Sequence, residues 1–318
     1  MATSFLFHHC TNLPSIDFLI RLTGLRVPAS RLSSESNTSG IKGLLAPDGI
    51  LHSKYTHRKA GRASYILCWR PAVSKLQKGG FKRISPHVTY SSRLPDYIAH
   101  LLRLRVLQEF ELLAERLEYR VKTFKKQKPY STVILRRLTR AEWGLMRSSG
   151  CIPYQNALAV LIVPPVNKNV VTRTRPIGSM SAAPTEVDDH TKPATRPLSV
   201  LMPASQSIDA ELSPQAVVPL YNGTTAFPDR IQRSALYSIL VRILVAERFE
   251  KKRQRDTGDS PPSGNSPPRN EDVESSKASH AFLLCSDEDT GKRGDVAGVV
   301  RALWRLRMFE GEGWQHPC

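Results

Sequence analysis

From Pro95 to Gln127 the apolar residues Ile98, Leu102, Val106, Phe110, Leu113, Leu117, Val121 and Phe124 recur every three or four positions. That is the period of one helical face, so any fold of this chain must accommodate a single long helix. Pro95 suits a first-turn position, and Lys122, Lys125, Lys126 and Lys128 complement the dipole at the far end. Leu101, Leu104, Leu107 and Leu112 widen the apolar surface of the first half, which predicts burial on more than one side.

Shorter elements surround this helix. Thr139 and Glu142 have capping-box spacing, predicting a second helix to about Ser148 that closes at Gly150. NALAVLIVPP then reads as a strand apolar on both faces, so both faces of its sheet should be covered. AVVPLYN predicts a strand. Phe227-Pro228-Asp229 opens a helix in which Ile231, Ala235, Ile239, Ile243 and Ala246 repeat. AFLLCS predicts a final strand, and Asp295 an N-cap for the helix VAGVVRALWRLRMFE. In ASYILCWRP, Tyr65, Leu67 and Trp69 alternate with Ser64, Ile66 and Cys68, so a short strand ending at Pro71 would group its aromatics on one face, more in keeping with a core than with a binding surface. A further strand is expected near 81–89.

These elements predict an α+β or α/β fold, a small mixed sheet of short strands packed by about four helices and interrupted by two long disordered insertions. The insertions fall at about 167–214 and 256–278, where Pro, Ser and Thr dominate and periodicity stops. Residues 49–318 then form one core domain, preceded by 1–48 as a transit peptide and linker. In that leader, Phe18, Leu22 and Leu25 share a helical stripe, with Arg21, Arg26 and Arg31 ahead of a Ser-rich stretch, which predicts mitochondrial import. Asp17 runs against this reading, and a cytoplasmic or nuclear address is the alternative. No apolar run reaches the length that spans a bilayer.

Charge narrows the partners. The chain has 46 Lys plus Arg against 28 Asp plus Glu, a net charge of +18, and no acid occurs between Asp48 and Asp96. Within that interval stand Lys54, Arg58, Lys59, Arg62, Arg70, Lys75, Lys78, Lys82 and Arg83, the candidate nucleic-acid-binding residues. A local cation field of this kind suits a polyphosphate. Arg301, Trp304, Arg305 and Arg307 in the last helix are secondary candidates for phosphate contact or stacking.

Catalytic signatures are sparse. The chain contains no GxSxG, HExxH, GxxxxGK[ST] or GxGxxG, so hydrolase, metalloprotease, nucleotide-hydrolase and dinucleotide readings lack support and no cofactor is implied. Asp287, Glu288, Asp289 and Asp295 follow an apolar strand, where a divalent metal can assist phosphoester hydrolysis. The DxDxT nucleophile pattern of haloacid-dehalogenase-like phosphatases is not met, because Thr290 comes one position early. Glu250 and Lys252 fall at the end of a helix, not on the strand that a PD-(D/E)xK nuclease requires. His8, His9 and Cys10 are adjacent on the terminus and cannot build a closed metal site. The five cysteines, Cys10, Cys68, Cys151, Cys285 and Cys318, are widely spaced and read as reduced thiols.

The sequence therefore predicts a non-enzymatic, basic, RNA-associated structural protein, of a mitochondrial ribosome or related ribonucleoprotein. A metal-dependent phosphoester hydrolase or nuclease using Asp287 and Asp289 is the first alternative. A scaffold that docks another protein through the helix at 95–127 is the second.

Overall fold

A computed structural model describes residues 16–28, 41–84, 88–123, 133–154, 156–168, 173–174, 176–180, 196–204, 217–256, 277–311 and 314. The chain divides into two compact units, one of residues 1–106 and 301–318, the other of residues 107–300. The architecture is mixed α/β, with two mixed sheets of short strands where one was expected.

The first unit is built on β1 (Leu19–Pro28), β2 (Ile41–Asp48), β3 (Ser64–Leu67) and β4 (Val88–Thr89), in the order β3-β1-β2-β4. The expected leader helix and linker are thus replaced by strands. Alternation explains why: Ile20 and Leu22 are buried on one face of β1, opposite Ile66 of β3 and alongside Leu45 of β2, and a strand satisfies that period as well as a helix does. Removal of residues 1–48 would strip two of the four strands from this sheet.

After β3 the chain forms α1 (Arg70–Lys75), a single 3-10 turn closed by Gly79 at φ 100°, and α2 (Phe81–Ile84). The strand expected near 81–89 is confined to β4, because 81–84 are helical. The long helix α3 (Leu94–Thr123) then begins one residue before Pro95. Its residues Ile98, Leu102, Val106, Phe110, Leu113 and Leu117 are all buried, as the period requires. Residues 124–132, including the end expected at Gln127, lie outside the described residues.

The second unit carries β5 (Leu135–Thr139), α4 (Arg140–Ser149), β6 (Ala157–Ile162), β7 (Ser199–Pro203) and β8 (Val217–Asn222). There follow α5 (Gly223–Ala226), α6 (Arg230–Asp256), β9 (Ala278–Cys285), α7 (Glu288–Arg293) and α8 (Ala297–Phe309), whose residues from Arg301 onward belong to the first unit. The sheet order is β5-β9-β6-β8-β7, parallel only between β6 and β8.

Both faces of this sheet are covered. Val160, Ala281 and Leu283 pack with Met146 of α4, Leu138 and Ile152 on one side. On the other, Phe282 meets Tyr237 of α6 edge-on at 6.2 Å. The Thr139 cap forms a complete capping box with Glu142, and Gly150 ends α4 at φ 64°. The insertion expected at 167–214 contains β7, which pairs with β8. That at 256–278 lies almost wholly outside the described residues. No described helix is long and apolar enough to cross a membrane.

Candidate nucleic-acid interface

The basic stretch begins in the segment between β2 and β3. Strand register places Tyr65 of β3, Arg21 of β1 and Asp48 of β2 in one row across the sheet, because Arg21 pairs with both of the others. Opposed residues share a face, so this row lies opposite the Ile20, Leu22 and Ile66 core. Arg21 and Asp48 form a buried ion pair.

Backbone from the covering segment supports that pair, leaving the Arg21 Nε as its one buried donor without a partner among the described residues. The Arg21 guanidinium donates to the carbonyls of Lys59 at 2.9 Å and Gly61 at 3.1 Å, while the Lys59 amide donates to the two Asp48 oxygens at 3.3 and 3.2 Å. Further bonds turn the chain at His52, whose carbonyl accepts from the amides of Tyr55 and Thr56 at 2.9 and 3.1 Å. Gly49 at φ 69° and Gly61 at φ 112° bracket the segment in backbone conformations that a side chain would strain. A segment gripped in this way projects its side chains outward.

Lys54, Arg58, Lys59 and Arg62 are exposed, as are Lys75, Lys78 and Lys82 on the α1 to α2 stretch. Arg83 lies in α2. Among the described residues, no carboxylate forms an ion pair with Arg58, Lys59, Arg62, Lys75, Lys78 or Lys82. Lys75 lies 6.0 Å from the centre of the Trp69 ring. Arg70 differs from the rest: its guanidinium is 2.7 Å from Asp96 and 3.4 Å from Glu310, and it stacks on Phe309. Its charge is spent inside the first unit.

The secondary candidates are likewise engaged. Arg301 reaches Asp17 at 3.3 Å, Arg305 donates to the Leu19 carbonyl at 3.2 Å, and the buried Arg307 lies over the Trp304 ring.

Tyr65 corrects the expectation that the aromatics of this strand form core. Ile66 and Cys68 take the buried positions, leaving Tyr65 46% exposed. Its hydroxyl accepts from the Arg58 guanidinium at 2.5 Å. Tyr55, which sequence reasoning passed over, is 40% exposed in the same segment, with the Lys54 ammonium 5.7 Å from its ring centre. A tyrosine flanked by His and Lys with no apolar period around it was the available signal.

At the acidic candidate, Asp287 is the N-cap of α7. Its carboxylate accepts from the Thr290 amide and hydroxyl, both at 2.7 Å, and Thr290 is buried. Asp289 lies in the first turn of α7. Asp295 does not cap α8 as expected. It is buried and accepts from Arg120 at 2.5 Å and Arg293 at 2.9 Å; burial alone would raise its pKa, but these bonds hold it below the usual carboxylate range. Among the described residues no three His, Cys, Asp or Glu side chains are grouped to hold a metal ion.

Cys68, Cys151 and Cys285 are free thiols. Burial pushes Cys68 and Cys285 up to about 11, so neither is a ready nucleophile near neutrality. No family model matches the chain, and comparison with curated proteins and with solved structures gives no match either.

Proposed function

We propose that this chain is a non-enzymatic, RNA-associated structural protein of a mitochondrial ribosome or a related ribonucleoprotein. One observation carries the reading: Arg58, Lys59, Arg62, Lys75, Lys78 and Lys82 are exposed and, among the described residues, without an ion-pair partner. Cations left in this state raise the local potential, and a polyphosphate relieves it with release of condensed counterions. The rigid backbone under Arg58, Lys59 and Arg62 favours positioning of phosphates over sequence readout. The mitochondrial address rests on the acid-poor, Arg- and Ser-bearing composition near the N-terminus, and an imported chain would retain β1 and β2 as parts of its fold.

Retention of the full chain on structured RNA, measured in Mg2+ at rising salt, tests this. Engagement of about six phosphates lowers affinity roughly a thousandfold between about 50 and 200 mM salt, with the RNA left intact. Absence of retention at low salt overturns the reading. Cleavage that Asp287→Asn abolishes would favour the hydrolase alternative, and a salt-insensitive complex with another protein the scaffold. Cell fractionation decides the address.

A further inference from the structure

We infer that the segment between β2 and β3 seats unpaired RNA nucleotides, with Tyr55 and Tyr65 offering ring faces to the bases while Arg58, Lys59 and Arg62 meet the flanking phosphates. This rests on the RNA reading above and adds which form of RNA is bound.

Rigid, exposed rings are the first ground. Tyr65 keeps 46% of its surface in water although the buried position of Ile66 is one residue away, and Tyr55 keeps 40%. The Tyr65 hydroxyl is fixed by Arg58 at 2.5 Å, which makes ring and guanidinium one unit. The Tyr55 ring packs edge-on against His52 at 6.4 Å and 75°, and its amide is bonded to the His52 carbonyl. Little side-chain freedom is left to lose on binding.

Charge is the second ground. Both rings stand in a stretch with no carboxylate from residue 49 to 95, so nothing there repels a phosphate. An acidic or neutral protein surface would not require this asymmetry combined with flat aromatics. A duplex would engage the cations alone, since its bases are already stacked on one another. Unpaired nucleotides present both a phosphate and an open π face, and each finds its counterpart here. Because every base has such a face, the site is tolerant of sequence.

The test compares the full chain binding an oligouridylate of about ten nucleotides with its binding to an RNA duplex of similar length, by fluorescence anisotropy at fixed salt. Tyr55→Ala and Tyr65→Ala should each weaken oligouridylate binding about tenfold or more, leave the salt slope unchanged and leave duplex binding as it was. Tyr55→Phe keeps its ring and should bind as the unaltered chain does, whereas Tyr65→Phe keeps the ring but releases Arg58 and should lose less than Tyr65→Ala. Equal affinity of the Ala variants and the unaltered chain overturns the inference, as does loss in Tyr55→Phe, a loss in Tyr65→Phe as large as in Tyr65→Ala, or parallel loss for the duplex. Photo-crosslinking of a thiouridine-bearing oligomer to the unaltered chain needs no substitution: adducts at Tyr55 or Tyr65 support the site, and adducts elsewhere only overturn it. A chain that binds duplex but not oligomer defeats this inference alone. A chain that binds neither at low salt defeats the RNA reading itself.

Discussion

Arg242 in the second unit and Arg58 in the first are the same residue type under opposite conditions. Arg242 donates to Glu118 at 2.9 and 3.1 Å and to Glu111 at 2.6 Å, and this bonding raises its pKa above the usual value while lowering that of Glu118. Two acids seven positions apart lie on one face of α3, so a single arginine on α6 meets both. Among the described residues the Arg58 side chain bonds the Tyr65 hydroxyl and no carboxylate, and Lys59 and Arg62 stand in a run that holds no acid between Asp48 and Asp96. Asp48 itself is occupied by Arg21 and the Lys59 amide. The excess of +18 is therefore not spread evenly: Arg242 is consumed by two acids of its own unit, whereas Arg58, Lys59 and Arg62 are presented outward.

The buried pair beneath the basic segment is where this contrast breaks most severely. Arg21→Met leaves Asp48 buried without its partner and the Lys59 and Gly61 carbonyls without a donor, at an expected cost of about 3–5 kcal/mol. Urea denaturation measures the loss, and amide exchange should show the 51–63 segment opening first. A variant as stable as the parent would mean that this segment is held by something else.

Glu247 contrasts with Glu111 and Glu118 of the second unit, which are held by an arginine. Its carboxylate accepts from the Ile134 amide at 2.9 Å, and burial pushes its pKa up to about 7. The folded state thus holds this proton more tightly than the unfolded chain does. Its stabilising contribution is complete below the ordinary carboxylate value of 4.5 and is lost as pH rises to about 7. The decline should amount to about 3 kcal/mol. Glu247→Gln should flatten that segment of the stability profile, and an unchanged profile would refute the assignment.

The smallest stability effects separate the two roles of surface cations. Arg242→Gln, at a half-exposed position, should cost about 1 kcal/mol or less and leave RNA retention unaltered. Lys59→Gln with Arg62→Gln should change stability by no more than about 0.5 kcal/mol, yet reduce the salt slope of RNA binding by about 2. Thermal melts and salt titrations of the two variants compare the regions directly. Equal effects on binding would erase the distinction.

Local chemistry was legible wherever it was self-contained. The capping box at Thr139 and Glu142, the helix opening at Phe227-Pro228-Asp229 and the period of α3 each involve residues within a few positions, so side-chain spacing alone specifies them. The helical stripe of Phe18, Leu22 and Leu25 gives way to β1 because Ile20 and Leu22 also alternate as a strand over so short a run, and only pairing with β2 and β3 decides between the two periods. Asp295 was misread because its partners Arg120 and Arg293 come from two other places in the chain.

For the candidate interface the same division holds. Composition alone located the uncompensated cations, since the absence of acids from 49 to 95 is a property of the chain in any conformation. Tertiary structure decided which cations were spent and which were presented: strand pairing set Arg21 against Asp48 and Tyr65 and turned Tyr65 outward, while contacts of α1 with the start of α3 and the residue after α8 tied Arg70 to Asp96 and Glu310. Register joins residues more than twenty positions apart, and a slip of one residue would exchange the two faces of the sheet, so no local reading of residues 54–83 reaches that outcome.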